Sequence, residues 1–230
     1  MKYIRTALAL FLTSLLASTA WADGENISKV NGSIRVASGR QVGSVETVNG
    51  SIRLEDSVTA GNIETVSGSI DIGRDCSVGD IGAVNGDVTL DTGAKAGSAE
   101  LVNGDFRLQE QAQIRGNVTS VNGSVTLAKG ARVQGRVENV NGAIELDGAR
   151  IGNGIKTVNG DIEIGAGSQV DGGILVEKPG FSVFSKRKPR ITIGPDAVVT
   201  GTLKFEREVE LRVSSRARVG KIEGATPIRD

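Results

Sequence analysis

Two pairs of acidic residues stand at matching positions of consecutive copies of a repeated heptapeptide. Asp87 and Asp105 follow the Asn-Gly of their copies, and Glu145 and Glu163 lie two residues further along in theirs. Paired carboxylates serve polysaccharide-cleaving enzymes, and stacked acids can raise one another's pKa or bind Ca²⁺. The calcium-binding nonapeptide pattern and long aromatic surfaces for stacking sugars are absent from the sequence. We therefore favour a solvated acidic face and predict no catalytic residue, no cofactor and no metal ligand.

Histidine and cysteine offer little further chemistry. The chain has no His, which excludes Ser-His-Asp and Cys-His catalysis and His-based zinc sites. The single cysteine, Cys76, has no partner for an internal disulfide. It stands where neighbouring repeats carry Val58 and Ala94, which predicts a small core residue rather than a reactive thiol.

The most concentrated basic cluster consists of Lys186, Arg187, Lys188 and Arg190. A cluster of this kind can contact anionic polysaccharide or lipid headgroups. Four cations in one loop are more commonly a solvated segment, so contact with an anionic surface is the alternative interpretation.

The first 22 residues have the pattern of a secretory signal peptide. Lys2 and Arg5 precede the largely apolar run 7–17, and residues 20–22 form an A-x-A cleavage motif. Removal of these two basic residues leaves 25 Lys and Arg against 27 Asp and Glu in residues 23–230. This balance gives no general attraction to nucleic acid. We expect an exported protein, periplasmic or at the cell surface, that is not integral to a membrane after cleavage.

The heptapeptide recurs eight times from Val30 to Val158, at steps of 18, 18, 18, 18, 19, 19 and 18 residues. A fixed period of this length is typical of a solenoid. The period of 18 residues divides into three steps of six residues. The positions reached by counting in sixes from Val36, such as Val42 and Val48, are apolar. Because each step supplies one inward residue, the sequence predicts an all-β, single-stranded, three-sided parallel β-helix of about 18 residues per coil.

Within each heptapeptide the alternation of residues predicts which side chains face the core. In the first copy, Ile34 and Val36 face inward while Ser33 and Arg35 face outward. Asn and Gly both tolerate positive φ, so the recurring Asn-Gly predicts a corner. Successive asparagines are predicted to stack as a structural hydrogen-bonded ladder formed by Asn31, Asn49, Asn85, Asn103, Asn122, Asn141 and Asn159.

The repeat weakens near a Pro-Gly breaker, and its six-residue step resumes at Ile193. We therefore predict one insertion followed by further coils rather than an unrelated domain. In chain order, the predicted organisation is signal peptide 1–22, solenoid repeats 23–175, basic insertion 176–190, terminal coils or cap 191–224 and tail 225–230.

The repeat V-N-G-[SD]-[IV]-x-[LIV] over residues 30–164 resembles the adhesin-like β-strand-repeat proteins of bacterial envelopes. The stretch I-T-I-G-P-D-A-V-V-T-G-T-L at 191–203 resembles bactofilins, which are polymer-forming β-helical scaffold proteins. The second resemblance implies a right-handed coil and end-to-end polymerisation. The signal peptide and the Asn-Gly corner depart from the usual bactofilin and argue against a cytoplasmic cytoskeletal role. Neither resemblance brings catalytic residues with it.

These observations favour an exported, non-enzymatic structural or interaction protein, either an envelope scaffold or an adhesin-like surface. Its expected partners are further copies of itself in a head-to-tail homopolymer, or envelope polysaccharide and lipid headgroups, and not nucleic acid. A monomeric envelope ligand-binding module is the alternative. A carboxylate-dependent, polysaccharide-active β-helix enzyme is the second alternative.

Overall fold

The computed structural model describes residues 24–179 and 187–229, and this part of the chain contains strands and no helix. The strands form three parallel sheets along a β-solenoid of about 11 turns, with about 18 residues per turn. The predicted all-β parallel β-helix with three sides is therefore confirmed. The predicted signal peptide and Lys186 lie outside the described residues.

Each complete turn contributes one segment to each of three sheets. The first sheet contains, in spatial order, β1 (Ile27–Asn31), β3 (Val45–Asn49), β5 (Ile63–Ser67), β7 (Ile81–Asn85), β10 (Ala99–Asn103), β13 (Val118–Asn122), β16 (Val137–Asn141), β19 (Ile155–Thr157), β22 (Ile174–Val176), β25 (Leu203–Phe205) and β28 (Ile222–Glu223). The second contains β2 (Ile34–Val36), β4 (Ile52–Leu54), β6 (Ile70–Ile72), β8 (Val88–Leu90), β11 (Phe106–Leu108), β14 (Val125–Leu127), β17 (Ile144–Leu146), β20 (Ile162–Ile164), β23 (Arg190–Ile193), β26 (Glu210–Val213) and β29 (Ile228–Arg229). The third contains β9 (Lys95–Ala96), β12 (Gln113–Ile114), β15 (Arg132–Val133), β18 (Arg150–Ile151), β21 (Gln169–Val170), β24 (Val198–Val199) and β27 (Arg218–Val219).

Neighbouring turns pair in register, so equivalent residues of successive repeats lie beside one another. In the second sheet, for example, Ile34 pairs with Ile52, which pairs with Ile70. Isolated bridges, such as the one between Gln41 and Thr59, extend the third sheet toward the first turn. Because the register is constant, each outward or inward position becomes a row along the solenoid.

The core is a continuous column of branched aliphatic side chains, as the alternation within the heptapeptide predicts. Ile52 and Leu54 are buried, whereas Arg53 between them is exposed. Cys76 is also buried, and its Sγ lies 3.0 Å from the carbonyl oxygen of Glu55. Burial raises the pKa of the Cys76 thiol above its usual value.

The expected inward direction of Val48 is wrong. The first-sheet strand beginning at Val45 alternates so that Val45 and Thr47 are buried and Val48 is partly exposed. Counting in sixes assumes three equal sides, but this side carries two inward residues before the corner. Thr47, the inward residue next to this corner, is polar. Its burial is tolerated because its hydroxyl donates a hydrogen bond to the carbonyl oxygen of Gly32, 3.3 Å away.

Glycine, rather than asparagine, has the positive φ at five of the seven Asn-Gly corners. Gly104 has a φ of 144°, and a Cβ on it would lie 2.1 Å from the carbonyl oxygen of Gly86 on the preceding turn. None of the ladder asparagines is among the described non-glycine residues with positive φ. The glycine therefore provides both the turn and the close approach of stacked backbones.

The terminal part of the chain continues the solenoid on the far side of the insertion. β23 pairs with β20, and β25 pairs with β22, so all three sheets pass the insertion. The solenoid extends beyond the boundary predicted at residue 224. Ile228 and Arg229, assigned to a tail, form a strand paired with Arg212 and Val213.

Candidate functional site

The asparagines at the corner form a ladder of side-chain hydrogen bonds along the outside of the solenoid. Each Nδ2 group donates to the Oδ1 atom of the asparagine one turn earlier, at 2.9–3.1 Å. The bonded pairs are Asn49 to Asn31, Asn103 to Asn85, Asn122 to Asn103, Asn141 to Asn122 and Asn159 to Asn141. Ser67 occupies the third repeat and separates the ladder into two runs.

An arginine from a later turn ends the longer run. Nη1 of Arg207 donates to Oδ1 of Asn159 at 2.7 Å and to the carbonyl oxygen of Val158 at 3.1 Å. Nη2 of Arg207 donates to the carbonyl oxygen of Arg187. Arg207 thereby joins the ladder to the segment that follows the insertion, a contact that the repeat pattern does not predict.

The first pair of stacked acids is bridged by one arginine, which balances one of the two negative charges. Arg107 donates to Oδ2 of Asp87 at 3.0 Å and to Oδ2 of Asp105 at 2.7 Å. The other oxygen of Asp87 accepts the backbone N–H of Asp105, and this bond, followed by the Arg107 contact, lowers the pKa of Asp87. The idea that stacking raises this pKa is therefore wrong for Asp87. The two carboxylates act as structural acceptors.

The second pair of acids lies on an exposed part of the second sheet. Glu145 and Glu163 are paired in register, and with Asp161 and Arg190 they line a shallow depression of about 130 Å³. Both glutamates occupy the same outward position, and each has a threonine and the other glutamate as its register partners. Among the described residues, no cluster of three or more His, Cys, Asp or Glu side chains is arranged to hold a metal ion.

The described residues of the basic cluster are paired with carboxylates of neighbouring turns. This neutralises much of the positive charge that suggested contact with an anionic surface. The three pairs are Arg187 with Asp161, Lys188 with Glu208 and Arg190 with Glu210. The basic member of each pair is exposed, so solvent screens the interaction and its contribution to stability is small.

A larger depression, of about 470 Å³, lies near the corner between the third and first sheets. Its polar lining includes Asn117, Arg136, Glu138, Asn153 and Asp171. Arg136 donates to the carbonyl oxygen of Asn153 and to Glu138, so its direction is fixed within the depression. The repeat pattern carries no signal for this depression, because Asn117 aligns with Arg136 and Gly154 of the next two turns rather than with Asn153.

Comparisons with protein-family models, with curated proteins and with solved structures found no match to this chain. Within the described ranges, no helical segment has the length and hydropathy of a membrane span.

Proposed function

We propose that this chain is an exported, non-enzymatic structural or interaction protein of a bacterial envelope, acting as a scaffold or an adhesin-like surface. The observation that carries the proposal is the regular flank, on which in-register turns repeat the same outward positions. Rows of this kind suit contact with extended partners. The hydrogen bonds from Arg107 to both Asp87 and Asp105 favour a structural role for this acidic pair.

Head-to-tail assembly is the less favoured form of this proposal. Lys29 pairs in register with the buried Thr47, and Arg229 pairs with the buried Val213, so both occupy inward positions on terminal strands. Inward-pointing charges on edge strands oppose further strand pairing. Stacking a second copy on either strand would bury a cation, so we assign the binding role to the flank and exposed ends rather than to a continuous polymer.

The depression near Arg136 supports the alternative of a monomeric ligand-binding module. Its polar groups and open shape suit a small polar ligand better than an apolar one. This alternative shares the proposed export and the absence of catalysis, and it differs in having one local site instead of a repeated surface.

Cell fractionation tests the proposal. The full chain and a variant lacking residues 1–22 are produced with the same C-terminal tag, and the cytoplasm, periplasm, envelope and medium are compared. We expect the full chain to be processed to begin at Asp23 and to be recovered outside the cytoplasm, in part with the envelope. Retention of an uncleaved chain in the cytoplasm would contradict the proposal, and release of sugar fragments from envelope polysaccharide would support the enzyme alternative.

A further inference from the structure

The last turn of the solenoid carries arginines that lack the pairing found in the basic cluster. Within the described ranges, no carboxylate forms an ion pair with Arg212, Arg218 or Arg229, and all three side chains are exposed. Elsewhere on this turn, Arg216 is paired with Asp196, and Lys221 with Glu223. Three exposed cations without an ion pair therefore lie on the last strands of the solenoid.

An exposed isoleucine lies among these arginines. Ile228 is 60% exposed and is the register partner of Arg212, while Arg229 follows it on the terminal strand of the second sheet. Arg218 lies on the terminal strand of the third sheet. We call Arg212, Arg218, Ile228 and Arg229 the terminal patch. Large exposed apolar side chains are rare among the described residues, and the others are Val30 on the first strand and Val66.

The turns between the two ends carry the opposite charge, whereas the first turn, residues 24–42, has three basic residues and one acidic residue and so is positive like the last turn. Residues 43–209 contain 17 basic and 22 acidic residues, a net charge of −5, whereas residues 210–230 contain five basic and three acidic residues, a net charge of +2. A negatively charged surface therefore attracts the end and repels the flank. This separation of charge favours contact between the last turn and a negatively charged surface, with the solenoid axis perpendicular to that surface.

We propose that the terminal patch docks the rod end-on to a bilayer containing anionic phospholipids. Arginines bind phosphate headgroups through charge-assisted hydrogen bonds, and each basic residue near such a surface adds favourable electrostatic energy. The exposed Ile228 side chain gains by entering the boundary between headgroups and acyl chains. A hydrated anionic polysaccharide offers no such apolar region, so the isoleucine favours lipid over polysaccharide. The inference rests on the proposed location at the envelope.

Co-sedimentation with lipid vesicles tests the inference. The chain from Asp23 onward contains every described strand, and it is mixed with vesicles of phosphatidylcholine with or without phosphatidylglycerol. We expect binding only to the anionic vesicles, weakening as salt is added because screening shortens the range of the attraction. Replacing Arg212, Arg218 and Arg229 with Gln should weaken binding by at least about tenfold.

The basic cluster supplies a matched control. Replacing Arg187, Lys188 and Arg190 with Gln removes the same formal charge from paired side chains, and we expect vesicle affinity to change by less than about twofold. Ile228→Ser should weaken binding to vesicles but leave binding to soluble dextran sulfate unchanged. Circular dichroism and melting curves establish that each variant retains the fold.

Equal loss of binding in the two triple variants would overturn the inference, as would a lack of preference for anionic vesicles. Unchanged vesicle binding by Ile228→Ser, together with strong binding to dextran sulfate, would instead indicate an anionic polymer as the partner. A chain that is recovered with the envelope in cells but does not bind anionic vesicles would refute only the lipid contact. The proposed function would then stand.

Discussion

Arg207 donates a hydrogen bond from Nη1 to Oδ1 of Asn159, 2.7 Å away, and so satisfies the last acceptor of the asparagine ladder. Every ladder bond has the same direction, since each Nδ2 group donates toward the preceding turn. The first asparagine in each run therefore lacks an asparagine acceptor for its own Nδ2 group, while Asn159, the last of the longer run, has an arginine as its donor.

An asparagine inside the ladder should contribute more to stability than one at its start. Asn122 donates to Asn103 and accepts from Asn141, whereas Asn31 makes only the bond that it accepts from Asn49. We expect Asn122→Ala to lower the free energy of unfolding by about 1–2 kcal/mol and Asn31→Ala by about 0.5 kcal/mol. Urea unfolding measures both values. Equal losses would show that the ladder bonds do not stabilise the fold.

Adjacent residues of a second-sheet strand face the core and the solvent in turn, so they should differ in how well they tolerate a charged substitution. Ile52 is fully buried, while the Arg53 side chain is 57% exposed and pairs with Asp71 at 3.1 Å. Ile52→Asp should cost several kcal/mol because it buries an unpaired carboxylate. Arg53→Asp, which exchanges an exposed pair for a repulsion, should cost about 1 kcal/mol or less. Thermal melting of the two variants provides the comparison, and similar midpoints would contradict the assigned facing.

Close stacking makes the corner glycines sensitive to a single methyl group. A Cβ at Gly104 would meet the carbonyl oxygen of Gly86, whereas a Cβ at Gly39 would have no neighbour within 4 Å. Both glycines have positive φ, so both Ala variants carry backbone strain of about 1 kcal/mol. Gly104→Ala should be clearly less stable than Gly39→Ala in denaturant unfolding because only the former also displaces a neighbouring turn.

The lowered pKa of Asp87 predicts a contribution to stability that depends on pH. Its carboxylate is stabilised in the folded state by the Asp105 N–H and by Arg107, so the contribution is present above the unfolded pKa of about 3.9. It is lost as pH falls through the lower folded pKa. Asp87→Asn should therefore destabilise the protein at pH 7 and reduce its loss of stability on acidification. Chemical unfolding from pH 7 to pH 2, with the exposed-site variant Glu110→Gln as control, tests this sign.

The buried thiol of Cys76 should resist alkylation in the folded protein. Its raised pKa keeps the less nucleophilic thiol form at neutral pH, and burial restricts access by reagent. Iodoacetamide labelling followed by mass spectrometry should detect little modification in buffer and complete modification in denaturant. Rapid labelling of the native chain would show that this part of the core opens readily.

The sequence predicts the architecture well because eight successive turns contain nearly the same heptapeptide. It does not predict the environments of individual charges, since these depend on which turns become neighbours. The partners of Lys188 and Arg190 are Glu208 and Glu210 on the following turn, whereas the partner of Arg187 is Asp161, on the other side of the insertion. The count in steps of six residues also predicts the wrong direction for Val48, because it assumes three sides of equal length.

The in-register pairing of similar turns means that the solenoid can change in length by whole repeats. Each turn between Asn85 and Asn141 contacts equivalent positions above and below it, so removal of one whole repeat brings like residues together. Such a deletion would shorten the rod by about 4.8 Å and leave both ends chemically intact. Gain or loss of repeats could thus alter how far apart two attached surfaces are held, without a new binding site having to evolve.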